Sequence, residues 1–196
     1  MNKVICVYSS SSDFIDKAYF DLANELGKAI AIKKDILLYG GGMRGLMGAT
    51  AKAVHGAGGK VIGVIPERLN LKGIVYETCD ELIITKDLRE RKSFMDSNSD
   101  AFIALPGGFG TLEELLEIIT LKQLKYHNKP IVILNINGFY DSMLKQFDCI
   151  INQCFAHHES NMLYRVLSSV DETLDYIDAY EPIEFEDKQL FRKMED

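Results

Sequence analysis

Residues 104 to 115 read ALPGGFGTLEEL, three glycines behind a proline and then two adjacent glutamates on what reads as the start of a helix. A glycine turn that opens a helix lets a phosphate meet backbone N–H groups at the positive end of the helix dipole, where a side chain would block it. Gly108 is the centre of such a turn. A tight strand-to-helix turn needs glycine for packing reasons alone, and that reading stands beside the first. Glu114 has two readings as well. Thr111 and Glu114 form T-x-x-E, a capping box in which each side chain satisfies the other's backbone donor. A carboxylate one turn from a phosphate loop is also placed to meet the ribose of a bound nucleotide.

A second glycine turn, YGGGMRGLMG at 39 to 48, has the same form around Gly41 and Gly42. Gly40, Gly42 and Gly45 match the dinucleotide fingerprint G-x-G-x-x-G, with Glu67 near the place of the ribose-binding acid. This turn follows the second strand-like run, not the first, which argues against a nicotinamide enzyme. No G-x-x-x-x-G-K-[ST] occurs, so a P-loop NTPase is not expected either.

The elements that would position these turns are short apolar runs alternating with longer amphipathic segments, the pattern of a mainly parallel sheet with helices on both faces. The runs cover 3–8, 35–40, 60–65, 81–85, 101–105 and 130–135, which predicts an α/β, Rossmann-like, doubly wound sheet of about six or seven strands. Helices are expected over 14–32, with Ile15, Leu22, Leu26 and Ile30 on one face, and over 112–124, with Leu112, Leu115, Leu116 and Ile119 facing the core. In such sheets ligands bind beyond the carboxyl ends of the strands. SSSSD (9–13), both glycine turns and PERLNLKG (66–73) all follow strands and so belong to that end.

The 196 residues suit a single domain, 1–196, with an acidic C-terminal segment from about 180. From Asp171 to Asp196 ten acids face three bases, leaving nineteen of each sign before them, so nothing supports a nucleic-acid surface. Phe185, Leu190 and Phe191 in that segment are apolar enough to pack on a partner subunit. No run approaches the ~18 apolar residues of a membrane span, and the start has no signal-peptide core, so a cytoplasmic protein is expected. Cys6, Cys79, Cys149 and Cys154 have no metal or redox spacing and read as free thiols, and His157–His158 is not expected to hold a metal.

PGGFGTLEE reads as P-G-G-x-G-T-x-x-E, and with GGGMRGLMG and the upstream RKSFM it resembles the LOG family, the cytokinin riboside 5'-monophosphate phosphoribohydrolases. The similarity runs from the first strand to about residue 155. It implies a Rossmann-like homodimer that hydrolyses the N-glycosidic bond of a nucleoside 5'-monophosphate, without metal or other cofactor, to a free base and ribose 5-phosphate. Carried over by motif, Arg91 and Glu114 are the catalytic pair. Lys92, Gly108, Phe109, Gly110, Thr111, Leu112 and Glu113 bind the nucleotide, with Thr120 as a further contact from the same helix. Gly41, Gly42 and Ser11 join the binding set from the other turns. The label lysine decarboxylase, which some members carry, is not supported by these motifs.

The chain departs from the family where a usual glycine is Ser10, and where Gly73 takes the place of a glutamate that contacts substrate in plant members. Cytokinin nucleotide and AMP therefore both stay open as substrate. Cleaving a riboside generates an oxocarbenium-like sugar, which needs negative charge near C1' and a delivered water, a carboxylate's work. Arg91 stays protonated at any usable pH, so its expected roles are to orient Glu114 and to bind anionic groups. Its place in KDLRERKSFMD also fits a solvated charged face. A non-catalytic nucleotide or molybdenum-cofactor carrier is the alternative, since it needs only the phosphate turns.

Overall fold

Seven parallel strands in the order β4-β3-β2-β1-β5-β6-β7 form the sheet. This architecture comes from a computed structural model that describes residues 2–183. The acidic segment beyond 183, with Phe185, Leu190 and Phe191, lies outside the described residues. In chain order the elements are β1 (Val4–Tyr8), α1 (Lys17–Ile32), β2 (Ile36–Tyr39), α2 (Gly45–Gly56), β3 (Lys60–Pro66), β4 (Glu81–Thr85) and α3 (Leu88–Ser97). Then come β5 (Ala101–Ala104), α4 (Phe109–Gln123), β6 (Ile131–Leu134), α5 (Asp141–Asn152), β7 (Arg165–Leu167) and α6 (Val170–Asp178).

The central strands are apolar without alternation because both faces are covered. Ile5, Cys6, Leu37, Leu38, Phe102, Ile103 and Ile133 are fully enclosed. On one face Ile5, Val7 and Leu37 pack with Leu22, Leu26 and Ile30 of α1, Leu46 and Val54 of α2, and Leu174 of α6. On the other, Cys6, Tyr8 and Phe102 pack with Met95 of α3, Leu115 and Ile118 of α4, and Tyr140. The six strands read from the sequence are all present, and β7 is the addition. With three residues at the sheet edge and two of them exposed, β7 is too short to leave a recognisable run.

The chain moves outward from β1 to β4 and then returns to place β5 on the other side of β1. That reversal is the topological switch point, and it opens a crevice between the carboxyl ends of β1 and β5. The turns after these two strands are SSSSD and PGGFGT. α1 begins later than its apolar pattern suggests, because Asp16 caps it by accepting from Ala18 N at 2.8 Å. α3 is capped in the same way by Asp87, which accepts from Arg89 N and Glu90 N at 2.9 Å each.

Candidate active site

The turn after β1 ties the two glycine turns together. Ser10 N donates to Pro106 O at 3.3 Å, Met47 N donates to Ser10 O at 3.2 Å, and Gly45 N donates to Asp13 Oδ1 at 2.8 Å. A carboxylate of the chain itself thus occupies the start of α2, the position a dinucleotide phosphate would take under the fingerprint reading. Gly45 has φ +58, and a Cβ there would meet the backbone of Ser10, Ser11 and Ser12 at 2.5 to 2.7 Å. Further along the turn, Tyr76 N donates to Gly41 O and Met43 N to Ile74 O, so residues 41–43 are paired with 74–76. The glycines of GGGMRG answer mainly to neighbours within the chain.

The turn after β5 is different. Gly107 is pressed against Thr111, whose Oγ1 would lie 2.1 Å from an added Cβ. Gly108 and Gly110 have nothing within 4 Å of the corresponding positions, and neither has a positive φ. Among the described residues, no neighbour and no positive φ requires glycine at these two sites. α4 starts at Phe109 with Gly108 as its N-cap and no side-chain cap, which leaves its first N–H groups pointing outward from an open approach. That is the geometry of an anion site.

The capping box is not formed. Thr111 is the third residue of the helix, buried against Gly107, and Glu114 lies a turn inside. The Glu114 carboxylate instead pairs with Arg91 of α3, Nη1 to Oε1 at 2.9 Å, with the two side chains only 13% and 10% exposed. Arg91 Nε donates to Val64 O at 3.0 Å, and its other terminal nitrogen lies against Gly40. Arg91 is therefore lodged in a slot and is not part of a solvated face. Burial pushes the Glu114 carboxyl above its ordinary value, and the Arg91 charge opposes the shift without cancelling it.

Lys92 bridges from α3 to α4, donating to Glu113 and reaching Glu117 at 2.7 Å. Burial lowers its affinity for a proton, but the two carboxylates outweigh that and hold it charged. Of the residues named from the sequence, Arg91, Lys92, Gly108, Phe109, Gly110, Thr111, Glu113 and Glu114 come together at the α3–α4 end of the crevice. Ser11 is in the adjoining turn, while Gly41 and Gly42 sit further along, beneath the 74–76 strap. Leu112 is half-buried against the core. Thr120 is exposed and donates to Leu116 O at 2.8 Å. Six residues on from Glu114, it is rotated about 120° around the helix.

The predicted inner face of α4 is corrected too. Leu115 and Ile118 are buried, but Leu116 is 45% exposed, and the buried stripe continues to Lys122. Gly40, which in the sequence only matched a fingerprint argued against, packs against the Arg91 guanidinium. Its signal is spatial, since only the fold brings it to Arg91, 51 positions away.

Comparison with known proteins gives the family. The family described as "Possible lysine decarboxylase" matches residues 47–177. The cytokinin riboside 5'-monophosphate phosphoribohydrolase LOG5 of Arabidopsis thaliana is 41% identical over 181 residues, 92% of this chain and 79% of that protein. A probable enzyme of the same name, LOGL6 of Oryza sativa subsp. japonica, is 43% identical over 178 residues, 91% of this chain and 71% of that protein. Among solved structures, the molybdenum cofactor carrier protein of Chlamydomonas reinhardtii superposes with a TM-score of 0.69 at 25% identity, over 91% of this chain and 97% of that one. The molybdenum cofactor binding protein of Rippkaea orientalis, at 24% identity and the same TM-score, shares the fold. By the matched family and by identity along nine-tenths of its length, this chain belongs to the LOG family.

Proposed function

We propose that the protein hydrolyses the N-glycosidic bond of a nucleoside 5'-monophosphate, a cytokinin riboside 5'-monophosphate or AMP, to the free base and ribose 5-phosphate. The observation that carries this is the buried Arg91–Glu114 pair beside an uncapped helix start with two glycines in open space. The 5'-phosphate binds the N–H groups of Gly108 to Thr111. That remote contact uses binding energy to set C1' beside Glu114. The Glu114 carboxylate stabilises the positive sugar as the C1'–N bond breaks and takes a proton from the attacking water. Water oxygen bonds to C1', and the base nitrogen ends with the proton. Arg91 holds the carboxylate in place and keeps it ionised. Lys92, already held by two carboxylates, adds positive charge at the same wall and is a poor amine nucleophile, so the decarboxylase description is not carried over.

Incubation with AMP or a cytokinin riboside 5'-monophosphate tests this by release of free base together with ribose 5-phosphate. Release from the nucleoside at the same rate as from the nucleotide would remove the phosphate anchor from the mechanism. The carrier reading draws on the Chlamydomonas likeness. Binding of a molybdenum cofactor with no base released from any of these nucleotides would favour it.

We also propose that residues 1–196 act as one domain and as a homodimer, in the cytoplasm and without nucleic acid. Phe109, Leu116 and Leu124 are 93%, 45% and 44% exposed and fall on one side of α4 together with Thr120, a face suited to a second copy. Thr120 then contacts the other chain's nucleotide. Four free thiols suit a reducing compartment. No described helix is long and apolar enough to cross a membrane.

A further inference from the structure

We propose that His157, His158 and Glu159 form a binding site for a divalent metal of the zinc class, at the end of the sheet opposite the crevice. Adjacent residues of a regular strand or helix point their side chains apart, which argues against shared ligation. The backbone here is neither. His157 is extended (φ -70, ψ 151) and a short 3-10 helix starts at His158, so the two rings meet with their centroids 4.2 Å apart. Glu159 closes the group, and one ligand atom from each of the three residues lies within 4.8 Å of the other two. Among the described residues, no other three histidine, cysteine or acidic side chains gather in this way.

The distances suit zinc. Bonds of ~2.0–2.1 Å in a tetrahedral arrangement put neighbouring ligand atoms ~3.4 Å apart. His157 Nδ1 stands 3.5 Å from Glu159 Oε2. An ion between them replaces the hydrogen bond that Glu159 N donates to the same nitrogen, which at 3.5 Å is long and weak. His158 is exposed, so its ring turns in by the remaining ~1–1.5 Å without disturbing the core. Two imidazoles and a carboxylate are donors for zinc, nickel or copper, whereas magnesium and calcium take oxygen ligands. Three protein ligands leave a fourth position for water.

The topology sets this group apart from the proposed chemistry. α5 leaves the carboxyl end of β6 and returns the chain toward the amino end of β7, which runs parallel to β6. The three ligands lie in the connection between α5 and β7, whereas Gly108 follows the carboxyl end of β5. The ion therefore has no part in the hydrolysis, and this inference stands without that reading. Its place is at the entry to β7, the edge strand of three residues that pairs with β6 alone. An ion held by the folded turn and not by the unfolded chain stabilises that turn by mass action.

Calorimetric titration of the full chain with zinc chloride tests the site. Wild-type protein should bind zinc with micromolar affinity, and magnesium chloride should give no measurable binding. His158→Gln, an exposed substitution that leaves the fold intact, should weaken zinc binding by more than the ~10-fold that even an outer partner of a metal ligand is worth. Cys154→Ser should keep the wild-type affinity, which separates the imidazoles from the exposed thiol shortly before them. The melting temperature should rise with zinc in the wild-type protein and stay level in His158→Gln. No zinc binding, equal affinity for magnesium, binding in His158→Gln as tight as in wild type, or binding lost in Cys154→Ser would each overturn the proposal.

Discussion

Replacing Gly40 with alanine tests whether catalysis depends on the slot that holds Arg91. The new Cβ would stand 2.1 Å from the Arg91 terminal nitrogen and 3.2 Å from Arg91 Cζ and from Met47 Sδ. The atoms that must yield are ends of flexible side chains, so the fold survives and the guanidinium shifts by about 1 Å or more to reach ordinary contact. That shift misaligns the bonds to Val64 O at 3.0 Å and to Glu114 Oε1 at 2.9 Å. Hydrogen bonds to charged groups contribute ~1.5–3 kcal/mol each, but the displaced guanidinium regains water, so the net loss should be ~1–2 kcal/mol. Turnover should fall on the order of 100-fold, the effect of a 1 Å misplacement.

A second signature follows from charge. Glu114 acts ionised, so activity is lost as pH falls through its folded pKa, which burial has already raised. With Arg91 displaced, burial is opposed less and the acid limb of the rate profile moves to higher pH. Base release from AMP across the acid limb, alongside thermal unfolding, measures both effects. Gly56→Ala is the control, because nothing lies within 4 Å of that Cβ. A folded Gly40→Ala protein with the wild-type rate and acid limb would refute the reasoning.

Glu114→Gln removes a buried charge and its pairing together, so stability should change by less than ~1 kcal/mol while turnover drops ~100-fold or more and nucleotide binding persists, as read by calorimetry and initial rates. A Cβ at Gly108 meets no neighbour within 4 Å, so in Gly108→Ala the melting temperature should hold while KM for the nucleotide rises ~10-fold or more. Lys122 is fully buried, with Nζ donating to Tyr180 Oη at 2.7 Å, and burial pulls its pKa down to about 8. The unfolded chain then binds more protons than the folded one between about 8 and the ordinary lysine value. Stability should rise with pH through that window, by up to ~1.4 kcal/mol per pH unit, and Lys122→Met should lack this rise in denaturant titrations.

Much of the scaffold was legible because strands buried on both faces leave continuous Val and Ile runs, and six of the seven strands were found that way. The turn after β5 was legible for a related reason, since glycines before a helix restrict what can approach. What failed were features set by contacts across the chain. T-x-x-E satisfied a capping rule that is local in sequence, but the helix begins at Phe109 with Gly108 as its N-cap, so Thr111 already lies inside it. Leu116 matched the apolar period, yet the buried stripe of α4 follows Thr111, Leu115, Ile118 and Lys122, an alignment no composition rule would choose with a lysine in it. Arg91 in a charged run looked solvated until Gly40 and Val64 supplied its slot.

The phosphate anchor proposed at the start of α4 would be built from main-chain N–H groups, whereas the neighbouring cleft is built from side chains that include residues of α3 and α4. Point mutation rewrites side chains freely and leaves backbone donors where the fold puts them. A lineage with this arrangement can exchange what it recognises beyond the phosphate, one residue at a time, without losing its hold on phosphorylated ligands. Intermediates along such a path stay folded and occupied. The division gives this scaffold a low mutational barrier between one phosphorylated ligand and the next.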